Sequence, residues 1–292
     1  MKKFIKKHWL ILSAFLVIFL IIFKTSNDFL DKINNYQEEK KQMLIECEKT
    51  MQSSSDLNYI KYCKELNENK NLKIDFFTML TDLIVFELRF LNYIAFIIVM
   101  IPTTIHLTKI LRNKYILNSI TRESYNSFLK KYFKVAYKYI WVLPLIGIAI
   151  IINCLLNTTL DASYAEIYGS SIYSVAVMKH PIQFMICYIL NITIYTAIFI
   201  NLTLLVVRKK HNLITSIILA IIIYIGIELF FEVGINSILC GLVFKNEIGY
   251  LFNLMNPFTF SDKQFEIFTL VLFTISIFTF SSILVHFAYK DK

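Results

Sequence analysis

The chain has 292 residues, 57% of them hydrophobic, and a formal net charge of +9. Soluble domains sit nearer 45–50% apolar, and here the apolar residues fall in blocks too long for buried soluble helices, which indicates an integral membrane protein. The positive charge lies between those blocks, where it sets membrane orientation, so nucleic acid is not an expected partner.

Lys2, Lys3, Lys6 and Lys7 precede an apolar run from His8 to Phe23. No small-residue cleavage site follows Phe23, so we read a retained first span (8–23) rather than a signal peptide. Residues 24–88 form a polar insert rich in Glu and Lys, which favour helix. Ser53-Ser54-Ser55-Asp56 breaks it, giving two outer helices. Cys47 lies in the first and Cys63 in the second, where a disulfide and a pair of free thiols are the two open readings.

The second span is 90–110, with Pro102 expected to bend it and Thr103 and Thr104 placed to satisfy freed carbonyls. A basic cytoplasmic loop (109–138) follows, with eight Lys or Arg against the single acid Glu123. A short helix is expected in its middle, Asn118 to Leu129, as the element on which a cytoplasmic partner pushes. The third, fourth, fifth and sixth spans are 139–156, 181–207, 212–232 and 265–287. Six spans place both termini inside, with 17 basic and 2 acidic residues on that side and 13 basic and 19 acidic on the other or in the spans near it. The expected fold is therefore an all-α, six-span membrane protein, one transmembrane domain over 1–292. Before the last span, two short apolar pieces (235–244 and 251–260) read either as re-entrant or interfacial helices or as an overrunning fifth helix with a loop on lipid.

The six glycines show no phosphate-binding pattern, so the chain is not expected to hydrolyse nucleotide or to need a cofactor of its own. No His-Glu-x-x-His pair is present, and neither a metal nor a catalytic constellation is expected. Glu228 and Glu232 share one face of the fifth span. Intramembrane acids mark a substrate path or proton site by default; the alternative is an interfacial Glu232 and a Glu228 bonded to a neighbouring helix.

The order of these features resembles the permease subunit of ABC-2 type transporters. The resemblance rests on Ile116 to Tyr132 between spans two and three, the apolar–basic–apolar run Ile198 to Ile225, and Leu251-Phe-Asn-Leu-Met-Asn-Pro-Phe-Thr-Phe260 before the last span. It implies a multi-pass protein of the bacterial cytoplasmic membrane that pairs with a second permease copy, like or unlike. A separate ATPase subunit would carry ATP and Mg. The coupling helix would be carried by Ser119, Ile120, Thr121, Arg122, Glu123, Tyr125 and Phe128. Arg122 suits a carboxylate of the ATPase, and Tyr125 and Phe128 suit an aromatic anchor. Asn256, Pro257 and Phe258 would form the outer re-entrant segment. The expected function is export of a peptide, antibiotic or lipid-like molecule. The competing expectations are a non-transporting sensor or assembly protein that uses the outer insert, an enzyme with a dispersed site, and an amphipathic loop helix held only by anionic lipid in the bilayer.

Overall fold

The computed structural model describes residues 2–50, 63–64, 73–112, 124–168, 171–208, 212–244, 257–259 and 267–290; within the helices some side chains, including those before Leu16, lie outside the description. The described chain is helical, its one strand-like feature an isolated bridge between Asp75 and Thr159. Among the described residues five helical runs are long and apolar enough to cross a membrane: Arg89–Leu111, Tyr125–Asn157, Pro181–Val207, Leu213–Ile235 and Val271–Lys290.

Helix α1 runs unbroken from Lys2 to Thr50. It continues past the end of the expected first span at Phe23 because residues 24–50 contain neither Gly nor Pro and are rich in Glu, Lys and Gln. Hydropathy changes at Phe23, but nothing there stops backbone hydrogen bonding from propagating. Ile22 and Ser26 are buried against the bundle, whereas Asn34, Glu38, Lys41 and Ile45 are exposed. The last 16 residues of α1 thus project beyond the bundle as a rod of about 24 Å. A disulfide joins Cys47 to Cys63 near its tip, with Cα atoms 5.7 Å apart.

Helix α2 (Phe76–Thr81) and the π-helical turn Asp82–Glu87 lead into α3 (Arg89–Arg112). The sequence reading placed this stretch in the polar insert. In the structure Phe76, Phe77, Met79, Leu80 and Leu83 are wholly buried, because the acids Asp75, Asp82 and Glu87 bracket an apolar run that needs a core. Helix α4 (Tyr125–Ala136) passes through a 3-10 turn, Tyr137–Tyr139, into α5 (Val142–Asn157). Two short helices, α6 (Ser163–Tyr168) and α7 (Val175–Met178), precede α8 (Pro181–Val207). Helix α9 (Leu213–Leu229) continues as a π-helix to Phe244, so of the two readings of residues 235–244 the structure has the overrunning helix. Helix α10 spans Ile267–Lys290.

Helix α8 is the axis of the bundle. It packs against α3, α5, α9 and α10, and most of its length is buried. Its first residue is Pro181, whose missing N–H is no loss in a first turn. Gly147 lets α5 approach closely, since a Cβ there would lie 2.6 Å from Ile192 Cδ1. Helices α9 and α10 expose long apolar faces, including Ile218, Ile222, Phe280 and Phe287, as lipid-facing helices do.

The end of the bundle that holds Lys130, Lys134 and Arg208 is the basic end. At the opposite end the buried Asp75 organises the packing. Its Oδ1 accepts from Thr78 N at 2.8 Å, capping α2. Its Oδ2 accepts from Ala165 N at 2.6 Å and Thr78 Oγ1 at 3.2 Å. Phe76 N donates to Thr159 O at 2.9 Å, so backbone and side chain together tie α2 to the α5–α6 connection. Behind this anchor Phe76, Phe77, Tyr173 and Phe184 form an edge-to-face cluster with centroids 4.8–6.4 Å apart. Ser26 Oγ donates to Asn153 Oδ1 at 2.7 Å and fastens α1 to α5.

Burial, reinforced by the nearby Glu87 charge, pushes the Asp82 carboxyl up to about 6, and burial raises Asp75 despite its hydrogen bonds. A carboxyl whose folded value lies above its unfolded value favours the fold in acid and loses that contribution as pH rises. Thermal unfolding in mild detergent should therefore show an Asp82 contribution that declines as pH rises from about 4 to about 6. Asp82→Asn should flatten this part of the profile, and an unchanged profile would refute the assignment.

Candidate functional site at the basic end

Helix α4 is amphipathic. Phe128, Tyr132 and Ala136 recur every four residues and are buried, while Lys130, Lys131 and Lys134 are exposed. The buried side meets the last turn of α10. The Tyr289 ring lies 6.0 Å from Tyr132 and 5.3 Å, edge to face, from Phe133. Its hydroxyl donates to Leu204 O of α8 at 2.9 Å, and its own carbonyl accepts from Tyr125 Oη at 3.2 Å. The Arg208 guanidinium sits over the same ring at 5.7 Å, within cation–π range.

A second junction lies deeper. Asn201 of α8 accepts from Tyr137 Oη at 2.6 Å and donates to Ser281 Oγ at 2.9 Å and Ser282 Oγ at 3.0 Å. One side chain thus joins the turn after α4 to both α8 and α10. Tyr139 and His106 share a hydrogen bond that fixes the same turn to α3. The threonines on α3 divide: Thr103 Oγ1 donates to Val99 O at 2.7 Å, and Thr104 Oγ1 is buried with no partner among the described residues.

The expected site residues divide as follows. Tyr125 and Phe128 are brought together, but against the chain's own α10 and core, with Phe128 only 5% exposed. Ser119, Ile120, Thr121, Arg122 and Glu123 lie outside the described residues, as does the expected helix start at Asn118; the described helix that follows starts at Tyr125. Glu228 is buried where α9 meets α3 and α8. Tyr224 stacks on Phe96 at 4.2 Å, so the acid borders an aromatic cluster. The Glu232 side chain is not among those described.

At the opposite end Asn256 lies outside the described residues, while Pro257 and Phe258 form a buried turn. Asn92 of α3 clamps this turn. Its Oδ1 accepts from Phe258 N and its Nδ2 donates to Thr259 Oγ1, both at 3.0 Å. The sequence reading singled out neither Asn92 nor Asp75 nor Tyr289. An Asp three residues before a Thr at the head of an apolar run is a legible helix cap; the partners of Asn92 and Tyr289, far along the chain, leave no local signal. Among the described residues no group of His, Cys, Asp and Glu is arranged to hold a metal ion.

Comparison of the chain with family models, with curated proteins and with solved structures finds no match.

Interhelical hydrogen bonds within a bilayer contribute about 0.6 kcal/mol on average and up to about 1.7. Asn201→Leu removes three at once and leaves Tyr137 Oη and two serines facing it. A loss of about 1–2 kcal/mol in reversible detergent unfolding is expected. Leu202→Ala, a neighbouring change outside the junction, should not match it; an Asn201→Leu protein as stable as the parent would show that the junction is dispensable.

Proposed function

We propose that this chain is the permease subunit of an ABC-2 type exporter in a bacterial cytoplasmic membrane, with six spans and both termini cytoplasmic. Two copies, like or unlike, would surround the pathway for a peptide, antibiotic or lipid-like substrate. Separate ATPase subunits would supply ATP hydrolysis with Mg. The observation that carries this reading is the docking of α4 on Tyr289. An amphipathic helix between two spans is held on its inner side by α3, α8 and α10 together.

The ATPase would engage residues 119–123 at the head of α4, with Arg122 forking onto a carboxylate. Tyr125 and Phe128 then serve as the inner, transmitting side of the coupling helix rather than as the surface the partner touches. Displacement of α4 would carry the Tyr289 and Asn201 junctions with it, moving α8 and α10 as bodies. Helix α9 packs on α3 and α8 and carries the buried Glu228, so separation there would open the acid to a pathway. The exposed rod of α1 with its disulfide favours a second reading, a sensor whose outer segment binds a ligand.

A mild-detergent pull-down of the tagged chain from its host separates the two. The transporter reading predicts recovery of an ATP-binding subunit in stoichiometric amount, lost with Arg122→Glu. Recovery of no such subunit with either protein would defeat it. The sensor reading predicts that deleting residues 32–70 abolishes function while Arg122→Glu is silent.

A further inference from the structure

One exposed face runs continuously from α4 into α5. Lys131, Lys134, Lys138, Trp141, Leu145 and Ile148 succeed one another at steps of three and four residues, the repeat of a helical face. All six are exposed, Trp141 to 65%, Leu145 to 52% and Ile148 to 37%. The stripe changes character along its length, from cation through indole to aliphatic. From Lys131 to Lys138 it covers about 10 Å of helix, and from Trp141 to Ile148 about 10 Å more. That is the order of a membrane leaflet, with headgroups, then the interface where Trp concentrates, then hydrocarbon.

We propose that this stripe binds an anionic phospholipid, its phosphate on the three lysines, its glycerol beside Trp141 and an acyl chain along Leu145 and Ile148. An acidic soluble protein would match the lysines alone. The uninterrupted passage into an exposed aliphatic surface matches a molecule that itself passes from anion to hydrocarbon. The opposite side of α4 is already committed to Tyr289, so the lipid and α10 hold the helix from two sides. The proposal is independent of the ATPase reading.

Trp141 is its own reporter. The chain has two tryptophans, and Trp9→Phe leaves Trp141 alone. The full chain is reconstituted into phosphatidylcholine vesicles containing equal mole fractions of brominated phosphatidylglycerol or brominated phosphatidylcholine. Brominated phosphatidylglycerol should quench Trp141 with an apparent affinity about fivefold or more above that of phosphatidylcholine, the attraction expected of even one lysine near anionic lipid. High salt should lower that preference. The triple change Lys131→Gln, Lys134→Gln, Lys138→Gln should abolish it, and the corresponding triple Arg change should keep it. Equal quenching by the two lipids overturns the proposal and leaves the lysines to an acidic protein surface. A preference that survives the Gln changes also overturns it. Should the Gln protein fail to reconstitute, the salt series on the Trp9→Phe protein decides, since a salt-insensitive preference is not carried by lysines.

Discussion

A polar side chain set among apolar helices must find its partners within the protein, because lipid offers none. Asn201 meets that condition by reaching from α8 to two other segments at once, and the basic end of the bundle follows from it. Apolar packing alone leaves helices free to slide and rotate past one another, whereas hydrogen bonds of fixed direction set their register. With Asn201 in place, α8 and α10 are aligned over the turn after α4, and Tyr289 arrives where it can reach Leu204. Asn92 does comparable work at the far end, for a turn that would otherwise leave Phe258 N unbonded in a buried position.

The two ends are built differently. The basic end is joined through side chains on long helices, so its connections can move as units. The opposite end is joined through backbone and a buried carboxyl, where Asp75, Thr159 and Ala165 interlock short segments. Between them α8 is enclosed and α9 and α10 are open on one side. This distribution encloses α8 in a frame of α2, α3 and α5 and leaves α9 and α10 at its margin, α10 held to α8 through Asn201 and Tyr289.

Much of this was legible in the residues. Helix α8 begins and ends where expected because Pro181 permits only a first-turn position and the apolar run stops at the basic turn after Val207. Helix α3 agrees closely for a similar reason, its apolar run being bounded by Arg89 and the basic loop. Hydropathy misplaced one stretch: the apolar residues between Asp75 and Glu87 are core rather than insert, because three acids in that stretch lower its mean hydropathy without keeping its aromatic and aliphatic side chains in solvent. Within the candidate site the amphipathic pattern of α4 was readable, but not what lay beneath it. Phe128 is as aromatic facing a partner as facing its own core, and its burial against Tyr132, which itself meets the distant Tyr289, decides which.

The length of α1 has a mechanical consequence. From Ser26, where it is fastened to α5, to Thr50 the helix measures about 36 Å. Such a rod is a lever arm with its fulcrum in the bundle. A tilt of about 10° at Ser26 sweeps the tip through about 6 Å, more than the pitch of a helical turn. The disulfide binds the working end of the lever to the returning chain. Small rotations within the bundle are thereby magnified beyond its surface, and a load applied at the tip is returned to the Ser26–Asn153 contact with the same mechanical advantage.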